Sequence, residues 1–427
     1  MSHVEYSHIG NFIRLHRKQQ GITQEKLCEG ICSITYLSKV ENGKMLPSDE
    51  IVVLLGNRLG VHITNGPELD EALENVQIIF EQLYQEHERN NSDKIEELYE
   101  SLLAYNDFLQ HPTVYTEYQL ISLVHAIHTF DVESAEQFIH KLSTIVESLS
   151  KLQQLNFYHL QGIYFCLRKK HYDSLVSLKK AKELAEELQL IKPFLLYHLA
   201  LTHSHLKNKH AAICHANEAL KMYNEQVNYI QSLYCQMILG INYTRTKNYQ
   251  KALTTYDQLL KLADSLELHR TKALTLHNLA YLHAHINKIE TAIALYQECL
   301  KYDMYPEICL QTLYQLAKLL YEEERVGEAS HYIDKALQIP PTKDNTEHIL
   351  ITCLKYQLED TSSEKETLIL YLEEAVIPFF QAKNDIHYLA EYYELLGKLY
   401  YTNRKYKIAS DYYHLAMHIK KEGDESI

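Results

Sequence analysis

Six segments of this chain share one frame, and that frame admits few folds. In "MILGINYTRTKNYQKALTTYDQLL", "HNLAYLHAHINKIETAIALYQECL", "YQLAKLLYEEERVGEASHYIDKAL" and "ELLGKLYYTNRKYKIASDYYHLAM" a small residue sits in a first helical stretch: Gly240, Ala280, Ala317 and Gly397. Twelve residues later each has an alanine in a second stretch: Ala252, Ala292, Ala329 and Ala409. Upstream, Gly162 with Ser174 and Ala200 with Ala212 keep the same register. From Gly162 to Ala317 the anchors lie 38, 40, 40 and 37 residues apart, and 80 residues, two periods, separate Ala317 from Gly397. Weaker units are expected near Leu83, Leu123 and Gln357, and Ala135 follows Leu123 by twelve. Small residues are needed where two antiparallel helices cross closely, and pairs of that kind stack into a solenoid.

The pattern resembles the tetratricopeptide repeat. That family's unit is about 34 residues, so the longer period here implies longer helices or loops. About nine units are expected over residues 70–421. The first helix of each pair lines the concave face of such a solenoid, a groove suited to extended peptides. The frame assigns to it Tyr197, Tyr234, Met237, His277, Asn278, Tyr281, Gln311, Tyr314, Gln315 and Lys318. Asn278 stands out, because an amide offers both a donor and an acceptor and can clamp a peptide backbone without reading its side chains.

Composition agrees with an all-α chain. The 427 residues include only 12 Gly and 8 Pro, too few for a turn-rich β protein. No apolar run is long enough to span a bilayer, and the N-terminus has no signal-peptide core, so a cytoplasmic protein without a membrane partner is expected. The eight Cys are scattered without a CxxC, which reads as reduced, mostly buried thiols. Neither a metal nor a cofactor is expected. His203/His205 and His283/His285 are spaced i,i+2 and diverge around a helix. HExxH, Gly-rich phosphate loops and nucleophile elbows do not occur, so an enzyme is not expected.

Charge divides the chain. The net charge is −14, yet residues 1–65 hold seven Lys/Arg against six Asp/Glu. The sequence "HITNGPELDE" supplies a natural boundary at Asn65-Gly66-Pro67. The expected domains are therefore residues 1–65 and 66–427. Within the head, Ile9, Phe12, Ile13 and Leu15 form one apolar stripe of a helix that Gly21 ends. Thr23 caps a second short helix and Ser33 a third, closed by Asn42-Gly43. Pro47 and Ser48 precede a fourth, "EIVVLLGNRLGV", with Gly60 as its stop.

"TQEKL…YLSKVENGKMLPS" resembles the lambda-repressor-like (XRE) helix-turn-helix family over residues 7–63. The resemblance implies that Gln24 meets a phosphate, that Ser33, Thr35, Tyr36 and Lys39 read bases, and that Asn42 and Lys44 touch the DNA backbone. Leu27, Leu37 and Val40 match core positions. In one respect the sequence departs: Gly30 comes earlier than the usual turn glycine, which implies a turn one residue shorter. One near-neutral head neutralises few phosphates. Two heads on a homodimer, reading half-sites about 34 Å apart or a multiple of that, remedy the weakness.

A head of this type joined to a long-period repeat body resembles the RRNPP family of peptide receptors, closest to its NprR- and PlcR-like transcription regulators. The resemblance implies a quorum-sensing regulator of double-stranded operator DNA. A short re-imported signalling peptide would bind the groove, with Asn278 at the family's backbone-clamping position, and would change the oligomer. The alternative is a Rap-like protein that binds and inhibits a response regulator of the sporulation phosphorelay, relieved by peptide.

Overall fold

The computed structural model describes residues 3–61, 67–341, 346–359, 365–383 and 385–425. Helix is the only regular structure among them. The expected boundary at Asn65-Gly66 lies outside the described residues. The chain divides into two compact units, Met1–Ile238 and Leu239–Ile427.

The first unit opens with α1 (His3–Gln19), α2 (Gln24–Cys28), α3 (Ile34–Glu41) and α4 (Asp49–Arg58). Thr23 Oγ1 accepts from Lys26 N at 3.2 Å and Ser33 Oγ from Tyr36 N at 3.1 Å, the two expected caps. Gly30 has φ +70°, so the early glycine supplies the left-handed residue of the turn. Leu27, Leu37 and Val40 are fully buried with Phe12 and Ile13. The crossing of α1 and α3 is so close that a Cβ on Gly10 would stand 2.0 Å from Val40 O.

Next come α5 (Pro67–Arg89), α6 (Ser92–Leu103), the single turn α7 (Asn106–Leu109), α8 (Pro112–His128) and α9 (Val132–Ser143). The head does not stand apart from them. Phe12 meets Tyr115 of α8 edge-on at 5.4 Å, with His16 at 4.7 Å from the same ring. Asn11 Nδ2 donates to Ser148 O at 3.1 Å and Lys18 Nζ to Thr144 O at 2.8 Å. Two further pairs follow, α10 (Lys151–Leu167) with α11 (His171–Glu187), and α12 (Pro193–His205) with α13 (Lys209–Glu225).

The remaining pairs are α14 (Tyr229–Arg245) with α15 (Tyr249–Ser265), α16 (His269–His285) with α17 (Ile289–Cys299), and α18 (Pro306–Glu322) with α19 (Val326–Leu337). Then come α20 (Thr346–Glu359), α21 (Glu366–Tyr371), α22 (Ile377–Ala382), α23 (Ile386–Thr402) and α24 (Tyr406–Glu425). A π-helical turn, Leu372–Val376, joins α21 to α22, just where Pro378 lacks the N–H that a regular helix requires. With α21 and α22 counted as one broken helix, the described residues form nine helix pairs after the head.

The small anchors do their work sixteen residues along rather than twelve. A Cβ on Gly162 would lie 2.6 Å from Leu178 Cδ2, one on Gly240 2.5 Å from the Tyr256 ring, and one on Gly397 2.9 Å from the Tyr413 ring. Each glycine thus opens a slot for a large side chain of the partner helix. The residue twelve later is small because it too lies at the crossing: Ser174 Oγ donates to Gly162 O at 2.8 Å. The turns inside the pairs use left-handed residues that are not glycine, such as Lys169, Lys207, Lys247 and Arg404, each with φ of 58–59°. That economy explains a helical repeat with so few glycines.

Candidate DNA-reading and peptide-binding surfaces

On the head, Ser33, Ile34, Thr35 and Lys39 are exposed along the start and outer face of α3. Lys44 is exposed beyond its end. Tyr36 is half-buried against the head core, so its ring serves packing as well as the surface. Asn42 is exposed, with Nδ2 donating to Ser38 O at 2.7 Å. Gln24 is held from behind. Its Nε2 donates to Glu41 Oε2 at 2.7 Å, and the same carboxylate receives Arg17 through Nε at 2.6 Å and Nη2 at 2.8 Å. Arg17 also donates from Nη1 to Ile22 O at 2.9 Å. This buried bidentate pair locks α1, α2 and α3 in one arrangement, the geometry in which a guanidinium and a carboxylate match best. Arg17 and Glu41 were not singled out by sequence, although a charged residue at a core position of α3 was the available signal.

In the second unit the frame separates two faces of each first helix. Positions two before and one after the anchor point outward: Asn278 and Gln315 are half-buried, Tyr281 is exposed and Lys318 is half-buried. Gln311, one turn earlier, is exposed. Positions three before the anchor do not join them. His277 and Tyr314, expected in the groove, are each only 6% exposed, and Met237 of the first unit, also expected there, is 7% exposed. The reason is helical geometry: that position lies about 100° from its neighbour, since 3.6 residues make a turn. For His277 it meets the next first helix. Thr312 Oγ1 donates to Ile308 O at 2.7 Å, so it accepts from His277 Nδ1 at 2.9 Å. Burial holds that imidazole at about 4, neutral at physiological pH. In the first unit Tyr197 and Tyr234 are half-buried, their ring centroids 6.3 Å apart.

Asn278 Nδ2 donates to Leu274 O at 2.8 Å. Tyr281 packs edge-on against His285 at 4.3 Å. Burial raises its phenol above the ordinary value, while the positive charges of Arg245 and Lys318 act in the opposite direction. Lys318 Nζ pairs with Glu391 Oε1 of α23 at 3.1 Å. Arg245 and Glu391 therefore belong to this surface, and sequence reasoning missed both. Glu391 lies six before Gly397, the register of Gln311 relative to Ala317, so extending the frame to the last repeat was the signal.

A separate polar cluster lies in the first unit. His87 Nδ1 and His128 Nε2 are 2.9 Å apart, and His159 Nε2 and His198 Nδ1 3.0 Å. Because the Phe194 carbonyl only accepts, His198 Nδ1 carries the proton that reaches it at 2.9 Å. Burial holds His128 at about 4 and His198 at about 3, with His87 and His159 also well below the ordinary value. No three His, Cys, Asp or Glu side chains among the described residues are grouped to hold a metal ion.

A helix-turn-helix head on a body of paired helical repeats defines the class. The chain matches the helix-turn-helix family over residues 13–64 and the tetratricopeptide repeat over residues 231–303 and 310–343. It is 25% identical to the transcriptional activator NprA of Geobacillus stearothermophilus, over 92% of this chain and 99% of that one. It is 23% identical to the regulatory protein RapG of Bacillus subtilis (strain 168), over 58% of this chain and 68% of that one. Among solved structures, the apo form of the quorum sensor NprR from B. thuringiensis superposes with a TM-score of 0.70 at 22% identity, covering 81% of this chain and 99% of that one. NprR in complex with its cognate peptide NprX gives 0.66 at 22% identity, covering 82% and 98%. In its order of a helix-turn-helix followed by tetratricopeptide repeats, and in its similarity along nearly its whole length to NprA, the chain resembles the RRNPP regulators, near their NprR members.

Proposed function

We propose that this chain is a cytoplasmic quorum-sensing transcription regulator, acting by binding rather than by catalysis. Residues 1–65 bind operator DNA as part of a homodimer, and residues 66–427 bind a short re-imported peptide and set the oligomer. The observation that carries the reading is the pairing, in one chain, of an exposed polar face on α3 with an outward stripe of Asn278, Tyr281, Gln315 and Lys318. The similarity to the activator NprA and the fold shared with the peptide complex of NprR support it.

On DNA, Ser33, Thr35 and Lys39 contact base edges, Gln24 a phosphate, and Asn42 and Lys44 the backbone, with Tyr36 in a mainly supporting role. In the body, Asn278 exchanges its bond to Leu274 O for the peptide backbone, while Tyr281 packs the peptide and Lys318 meets its polar groups. Gln315 widens the contact. His277 and Tyr314 act from beneath, by fixing the helices that present it. Peptide then favours one arrangement of the repeats through differential affinity, with about 1–3 kcal/mol of coupling typical of such switches.

The test is a gel shift on promoter DNA from the protein's own locus, with and without the peptide encoded beside it. Peptide is expected to change the shifted fraction. Asn278→Ala is expected to abolish the peptide response in isothermal titration while leaving the fold and the peptide-free shift intact; unchanged peptide affinity would sink the assignment. The Rap-like reading, binding of a response regulator, is favoured by the similarity to the response regulator aspartate phosphatase H of Bacillus subtilis (strain 168), 24% identical over 59% of this chain and 65% of that one. It gains if no DNA shift occurs at any peptide dose.

A further inference from the structure

The first unit holds a cavity of about 270 Å³, bounded by α5, α8, α10 and α12 and lined by none of the residues proposed for peptide recognition. Three carboxylates, Glu81, Glu88 and Glu117, face one ammonium, Lys192. Lys192 Nζ is already paired with Glu88, which leaves two carboxylates without an opposing charge in the lining. Glu117 is half-buried and accepts from Gln153 Nε2 at 3.0 Å. An ionised carboxylate can accept up to about four hydrogen bonds, so it retains capacity. Burial, reinforced by the Glu117 charge, pushes the neighbouring Tyr84 phenol well above its ordinary value.

The histidines of the wall add no positive charge. Burial, followed by the fields of the other histidines and Lys192, keeps His87 and His159 neutral. His87 is 5% exposed, and its Nε2 is buried with no hydrogen-bond partner. His159 Nε2 faces the protonated Nδ1 of His198 and so accepts, which puts the His159 proton on Nδ1. Phe80 and Phe194 supply apolar walls whose ring faces attract cations. A space this small, below the roughly 300–1,000 Å³ of drug-sized sites, selects a short ligand.

We propose that this cavity binds a small organic cation, a primary alkylamine or alkylguanidine, with Glu117 as its charge partner and Glu81 at the mouth. The ammonium or guanidinium donates to the Glu117 carboxylate, and the carbon chain lies against Phe80 and Phe194. Such a ligand would stitch α5, the helix that leaves the head, to α8, α10 and α12.

The experiment uses the full chain. Putrescine and agmatine are titrated in a thermal-unfolding assay and by calorimetry, with glutarate as a carboxylate of similar length. A saturable rise in Tm with one of the amines, absent with glutarate, is expected, because a ligand that binds only the folded state stabilises it by mass action. Glu117→Gln is expected to weaken binding at least about tenfold, the loss of one hydrogen bond to a charged group. No saturable response to either amine overturns the proposal, as does equal affinity in Glu117→Gln, which would mark the amine as a general counterion of an acidic protein. Should Glu117→Gln fail to fold, the exposed Glu81→Gln decides: weaker binding upholds the site, and unchanged binding overturns it.

Discussion

At Gly240 one absent methyl group decides whether a helix pair closes. The Tyr256 ring occupies the place a Cβ would take, at 2.5 Å, and it is 1% exposed, with no room to swing aside. Gly240→Ala is expected to lower stability by roughly 1–3 kcal/mol, the cost of overpacking, read as a lower denaturant midpoint. Gly162→Ala should cost less, since the obstruction, Leu178 Cδ2 and Cγ each at 2.6 Å, is an aliphatic side chain that adjusts more readily than a flat ring. Gly10→Ala should cost most of the three, because the obstruction is the Val40 carbonyl of the backbone itself. A midpoint series in any other order would show that the crossings are looser than these distances imply. Small residues at Gly162, Gly240 and Gly397 were legible in the sequence. The side chains that demand them were not: the alanines twelve residues on drew attention because they are also small, whereas the large residue sixteen on reveals its role only once two helices lie side by side.

At the scale of the element, the four histidines make the contact of α5 with α8, α10 and α12 sensitive to acid. All four have lower values in the folded state than the ordinary 6.5, with His128 at about 4 and His198 at about 3. A lowered folded value means the unfolded chain binds more protons below 6.5, so stability is fully present above that pH and is lost as pH falls toward 4. For His128 alone the linkage amounts to on the order of 3 kcal/mol at pH 4. Urea unfolding is expected to show a midpoint that declines steeply between about pH 6.5 and 4. A His87→Gln/His128→Gln protein should show a shallower decline, and an identical slope would assign the acid sensitivity elsewhere. His16 and His203, each at about 4, add to the same trend outside this cluster. Four histidines on four helices carry no sequence motif, since separations of 31 to 41 residues join them only through the repeat period.

At the scale of the whole molecule, the head is built into the first unit. Phe12, His16, Asn11 and Lys18 all engage the second repeat pair or the turn that follows it. A chain starting at residue 67 is therefore expected to expose the Tyr115 surface and to unfold at a lower temperature than the full chain, by several degrees if it loses about 2 kcal/mol. An unchanged Tm would mean the docking contributes nothing. The sequence by itself determined the helical class, the caps at Thr23 and Ser33, the repeat period and the exposed face of α3. Each follows from local chemistry or from periodicity along one helix, which a linear string records. Only the tertiary structure decided that His277, Met237 and Tyr314 turn inward, that Glu391 reaches Lys318 across 73 residues, and that α1 docks on α8. Those facts depend on which neighbour each helix face meets, and a crossing between distant helices is set by packing, which the order of residues along either helix does not contain.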